Sequence, residues 1–108
     1  MQSRIQALLT IFQWACPKYL NCRFVVTSTQ RSCSQQAQLA SDHPGSSADA
    51  SYHLNGQAFD GLVQPYNEEK QAALGAIAEY FGFRWGGRFR TRDVVHFDDG
   101  NYNRPGRC

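Results

Sequence analysis

Residues 51–60 read Ser-Tyr-His-Leu-Asn-Gly-Gln-Ala-Phe-Asp, and residues 93–98 read Asp-Val-Val-His-Phe-Asp. The two frames offer two imidazoles, His53 and His96, and one carboxylate, Asp60, a donor set that zinc accepts. Three protein ligands leave a fourth position for water, and zinc lowers the pKa of that water to about 7, so hydroxide is available at neutral pH. Asp93, three residues before His96, is placed to handle the water's proton. The pattern reads as a zinc hydrolase site. Each residue alone has a plainer role: a lone histidine is more often hydrogen-bonded structure, Asp60 could cap a turn, and Asp93 could pair with Arg90 or Arg92. The ordered set, rather than any member, favours the metal.

The surrounding elements must bring these frames together. Gly56 supplies a turn, and residues 57–63 suit a strand in which Ala58 and Asp60 share a face, so that Asp60 looks back at a metal held by His53. Residues 23–28 form an earlier β-branched and aromatic strand. Residues 34–39 are compatible with a helix, and residues 41–50 are a loop by composition. Trp85, Gly86 and Gly87 make a turn. Residues 88–97 alternate as a strand, with Arg88, Arg90 and Arg92 on one face and Phe89, Thr91 and Asp93 on the other. Helices are predicted near 3–15 and 67–81. In the first, Ile5, Leu8, Leu9 and Phe12 share a face, and Pro17 marks the break beyond it. In the second, Asn67 caps, Glu68 and Glu69 favour the positive end, and Gly82 stops the helix. Its apolar face is Ala73, Leu74, Ile77, Ala78 and Phe81.

With 108 residues the chain is expected to be one domain, 1–108, whose modest core a bound metal would help to hold. A net charge of +2 falls short of a nucleic-acid-binding signature, and no apolar run approaches a membrane span. The N-terminal stretch has no small-residue cleavage site and reads as an amphipathic helix, not a leader. Cys16, Cys22, Cys33 and Cys108 show neither a CxxC pair nor a dense framework. An even count permits disulfides, but without a secretory context they read as thiols with no chemistry, with Cys108 exposed and able to oxidise between chains. His43 reads as a surface residue. Trp14 and Trp85 read as core or turn packing.

At these residues the chain resembles the zinc D-alanyl-D-alanine carboxypeptidase and L-alanyl-D-glutamate endopeptidase family, which includes VanY-type enzymes and many phage endolysins. The family pattern S-x-H-x-x-G-x-A-x-D is met at Ser51, His53, Gly56, Ala58 and Asp60. A Trp-Gly-Gly turn followed by D-x-x-H-F is met at Trp85, Gly86, Gly87, Asp93, His96 and Phe97. An upstream element is met at Thr27, Ser28, Arg31 and Gln36, although Thr29 and Gln30 stand where the family often has Gly-Tyr. The resemblance implies an α+β fold of the Hedgehog/DD-peptidase type, a small antiparallel sheet carrying a zinc site and flanked by helices. It implies one Zn2+ on His53, Asp60 and His96, Asp93 as catalytic base, and Arg31 stabilising negative charge or holding substrate. Gln36 and Ser51 would line the substrate, Ser51 through an orienting hydrogen bond.

The function so implied is hydrolysis of peptide bonds in peptidoglycan stem peptides. The setting implied is a phage or prophage lysis enzyme with no separate wall-binding domain, made in the cytoplasm and acting as a monomer on the cell wall. Arg84, Arg88, Arg90 and Arg92 would form either a solvated face or a patch for anionic peptidoglycan. The alternatives are a non-catalytic zinc-stabilised binding module on the same fold and a phage structural component. Asp98, just beyond His96, is expected to support the site from outside the ligand set or to lie on the surface.

Overall fold

The computed structural model describes residues 2–29, 32–42, 50–104 and 106–107. Helix α1 (Ser3–Tyr19) buries Ile5, Leu8, Leu9, Phe12, Ala15 and Cys16, one stripe at helical spacing. Phe12 is the centre of the core. Its ring meets those of Phe24, Phe59 and Phe97 edge-on, with centroids at 5.2, 5.7 and 4.9 Å.

Those three phenylalanines come from three neighbouring strands. Strand β1 (Arg23–Ser28) leads into helix α2 (Cys33–Asp42), short strand β2 (Ala50–Ser51) and a 3-10 turn (Tyr52–Asn55). Then follow β3 (Ala58–Gln64), α3 (Glu68–Tyr80), β4 (Arg84–Trp85), a second 3-10 turn (Gly86–Arg88), β5 (His96–Asp98) and β6 (Gly106–Arg107). The main sheet has the order β1-β3-β5-β4 with every pair antiparallel, and β2 pairs with β6 separately. This is the expected α+β architecture, with helices flanking a small antiparallel sheet.

Helix α3 begins and ends as its sequence dictates. The Asn67 side chain accepts from the Lys70 N–H at 2.9 Å. At the other end Gly82, at φ 90°, reverses the chain, and Gly82 and Phe83 return their N–H groups to the carbonyls of Glu79 and Ala78. Its buried stripe, however, is Gln71, Leu74, Gly75 and Ala78, while Phe81 is exposed beside Tyr80. Gly75 is there because Trp85 lies on it: a Cβ at Gly75 would sit 2.3 Å from the indole.

Four further expectations are corrected. Helix α1 runs through Pro17 to Tyr19, although proline forfeits the bond to the Gln13 carbonyl, and the chain leaves the helix only at Asn21, at φ 51°. Cys16 and Cys22 are not idle thiols but a disulfide across that stop, with Cα atoms 5.0 Å apart, and Cys33 too is disulfide-bonded. Residues 88–97 are no continuous strand. Two adjacent glycines fold into a 3-10 turn, Arg92 donates back to the Gly87 carbonyl, and pairing begins only at His96. Trp85 is core, but Trp14 is exposed, packed edge-on to Tyr19 with the Lys18 ammonium over its ring. His43 and Cys108 lie outside the described residues.

Candidate metal centre

Sheet register brings two of the three donors together. Asp60 on β3 stands directly opposite His96 on β5. Asp60 Oδ1 lies 3.2 Å from His96 Nδ1. The third donor comes from the turn before β3. Gly56, at φ 66°, reverses the chain, so that the Gln57 N–H returns to the Tyr52 carbonyl and His53 is folded back over the strand. His53 Nε2 is 3.1 Å from Asp60 Oδ1 and 3.3 Å from His96 Nδ1. A tetrahedral ion with bonds of about 2.0 Å has ligand–ligand edges of about 3.3 Å, so this triangle is one face of such a tetrahedron.

The outer side of each ring decides what its inner nitrogen can be. His53 Nδ1–H donates to the Thr29 carbonyl at 2.6 Å, and His96 Nε2–H donates to Asp98 at 2.6 Å. In their neutral forms both imidazoles therefore turn a lone pair inward, beside a carboxylate oxygen. Three acceptors within 3.3 Å of one another repel unless a positive centre joins them. That centre is a proton or a metal ion. Two imidazoles with one carboxylate suit a borderline ion such as zinc; calcium and magnesium demand six or more oxygens.

The electrostatics agree. Burial alone would raise the Asp60 carboxyl, but hydrogen bonds to His53 and His96 outweigh it and hold it well below the usual range. Burial would lower His96, yet its bonds to Asp60 and Asp98 raise it to about 9. Without a metal, His96 therefore keeps its proton at neutral pH. Asp98, fully buried, is pulled down to about 2 because the Arg84 guanidinium and His96 overcome its burial.

Asp93 stands on the loop before β5, exposed to solvent at one side. Burial and then the Asp60 charge push its carboxyl up, offset only in part by His96 and His53. The loop is held tightly. Asp93 N–H donates to the Gly86 carbonyl at 2.9 Å, and a Cβ on Gly86 would come within 2.1 Å of the Asp93 carbonyl oxygen. This is why the turn needs glycine. The Val94 carbonyl accepts from both Trp85 Nε1 at 2.8 Å and Gln71 Nε2 at 2.9 Å.

Gln71 and Arg84 were not legible as site residues. Gln71 looks like a polar interruption of an apolar helix, but its buried amide acts as an extra strand unit. It donates to the Gly61 carbonyl and accepts from the Val63 N–H where β3 runs past the end of β5. Arg84 looks like part of a surface arginine run. Its partner Asp98 was expected outside the ligand set or on the surface, and it is buried behind His96: two apart in a strand, the pair shares a face. Of the remaining expected residues, Arg31 lies outside the described residues, as do the side chains of Gln36 in α2 and Ser51 in β2. Arg88 pairs with Glu79 on the surface.

Among curated proteins none matches the chain. Its structure is similar to the crystal structure of the L-Ala D-Glu endopeptidase ChiX from Serratia marcescens. The TM-score is 0.64 and the identity 25%, over 86% of this chain and 77% of that one. A family model described as D-alanyl-D-alanine carboxypeptidase matches residues 44–99, a span that holds His53, Asp60, Asp93 and His96 and more than half of the chain. By that match the chain belongs to the D-alanyl-D-alanine carboxypeptidase family.

Proposed function

We propose that this chain is a zinc-dependent peptidase that hydrolyses peptide bonds in the stem peptides of bacterial peptidoglycan. The observation that carries the reading is the triangle of His53 Nε2, Asp60 Oδ1 and His96 Nδ1, three inward-facing acceptors with edges of 3.1, 3.2 and 3.3 Å. Family membership and the likeness to an L-Ala D-Glu endopeptidase supply the reaction class and the two candidate bonds, L-alanyl-D-glutamate and D-alanyl-D-alanine.

His53, Asp60 and His96 would hold one ion. When bound, zinc supplies Lewis acidity toward a carbonyl and a water with a pKa of about 7. Asp93 is the base that takes the proton of the attacking water and passes it to the leaving amine. Its raised carboxyl suits both halves of that transfer, because a group too acidic would hold the proton poorly. Arg31 is proposed to steady the oxyanion, a role in which one donor is worth about 3 kcal/mol. Gln36 and Ser51 are proposed to contact substrate. The Cys16–Cys22 disulfide supports work outside the reducing cytoplasm, on the wall itself, in keeping with a lytic role in a phage or prophage. Among the described residues no helix is long and apolar enough to cross a membrane.

Digestion of purified peptidoglycan followed by mass spectrometry of the fragments tests the reading and identifies the bond. New L-alanine C-termini mean endopeptidase, and released D-alanine means carboxypeptidase. Activity should vanish on chelation and return with zinc. Intact stem peptides from a zinc-loaded, folded protein would turn the assignment to a binding module.

A further inference from the structure

Two arginines among the described residues are built into the fold in the same way, and only one of them reaches the candidate centre, through its carboxylate partner. Arg4 donates to buried Asp99 from Nε and Nη2 at 2.9 and 3.2 Å, with its guanidinium 4.7 Å from the ring centroids of both Phe83 and Tyr102. Arg84 donates to buried Asp98 from the same two nitrogens, both at 2.7 Å. Its guanidinium lies 4.9 Å from the Tyr52 ring and 4.8 Å from the Phe89 ring.

The surroundings of the second pair differ. Arg84 and Asp98 are register partners across β4 and β5. Asp98 Oδ2 accepts from Arg84 and from His96 Nε2, while Oδ1 accepts from Arg84 and from the Gly100 N–H at 2.8 Å. Four donors thus fix the carboxylate plane, and that plane fixes the His96 ring. The stacked rings extend the hold: Tyr52 precedes His53 in its turn, and Phe89 lies 5.7 Å from His96 on the loop that leads to Asp93. A lysine would supply the charge without the fork or the flat stacking face. Gly100 closes the arrangement, since a Cβ there would come within 2.5 Å of Arg84 Nε.

We propose that Arg84, acting through Asp98, is a positioning residue that aims His96 Nδ1 at the ion and ties the His53 turn and the Asp93 loop to the same guanidinium. The proposal rests on the metal-centre reading above. Outer partners of metal-binding histidines commonly change affinity by about 10–100-fold when removed.

Cobalt(II) titrations followed by its visible ligand-field bands test this, with thermal melting of the metal-free forms alongside. Arg84→Lys and Asp98→Asn should each weaken cobalt binding by about 10–100-fold and alter the band pattern. Arg4→Lys should lower the melting temperature by a comparable amount yet bind cobalt as the wild type does. Should Arg84→Lys not fold, near-isosteric Asp98→Asn carries the test. Wild-type midpoints and bands in both variants would overturn the proposal, as would equal weakening in Arg4→Lys. A folded wild-type protein that binds no cobalt at all would instead refute the metal centre, and the proposal with it.

Discussion

Asp93→Asn keeps the size and most of the hydrogen bonding of Asp93 but cannot take a proton. Zinc content and melting temperature should hold while turnover on peptidoglycan falls about a hundredfold or more. Metal lost with activity would make Asp93 a ligand, and wild-type turnover would remove it from the mechanism. The proposed base works only when deprotonated, so activity should rise with pH along a limb above the ordinary carboxyl value of 3.8. His96 gives the opposite sign for the metal-free protein. Its pKa is raised from 6.5 to about 9, so its stabilisation is full below 6.5 and is lost as pH climbs through 9. Melting curves in chelator across that window should show the loss. Zinc binding at pH 7 should release this proton, seen as a calorimetric heat that depends on the buffer. The donors themselves were readable from residue type and spacing. Asp98 was readable as a support beside His96, but Arg84 was not, because in sequence it is one arginine among several, and only the β4–β5 register turns it inward.

At the scale of elements, β1, β3 and α3 were legible because a β-branched and aromatic run, a turn glycine, a capping asparagine and a stopping glycine act locally. The segment 88–95 was misread because its pattern is strand-like while its contacts are set by other elements: Gln71 of α3, Trp85 of β4 and the backbone of Gly86. Those contacts make sharp predictions. Gly86→Ala drives a methyl into the Asp93 carbonyl, a backbone neighbour with no rotamer to yield. It should cost about 1–3 kcal/mol and, unlike a surface change, should impair activity by shifting the Asp93 loop. Gln71→Met fills the same space but strips partners from the buried Val63 N–H and Gly61 carbonyl. Urea unfolding should report a loss of about 2–4 kcal/mol, and a loss under about 0.5 kcal/mol would mean that the amide is not bridging β3.

Across the whole molecule, the core gathers on Phe12 while every proposed ligand lies on or beside the sheet. Helix α1 thus supplies packing and no ligand, and its apolar spacing was enough to reveal that. The disulfide was not revealed, since four scattered cysteines do not state their pairing. It closes a short loop, with a sequence separation of 6, so Cys16→Ala with Cys22→Ala should lower stability by about 2 kcal/mol. Strand β1 lies between two fastenings. Its Arg23 end follows directly from the Cys22 bridge, and its Ser28 end runs into Thr29, whose carbonyl receives the His53 ring. The ribbon of β1 and β3 is therefore a zip with a covalent stop at one end and, with the proposed ion bound, a clasp at the other. Opening the clasp with a chelator should let it fray in one direction only. Amide hydrogen exchange should quicken from the Ser28–Asp60 rung inward while the Arg23–Gln64 rung keeps its protection, and deleting the disulfide should reverse the direction of travel.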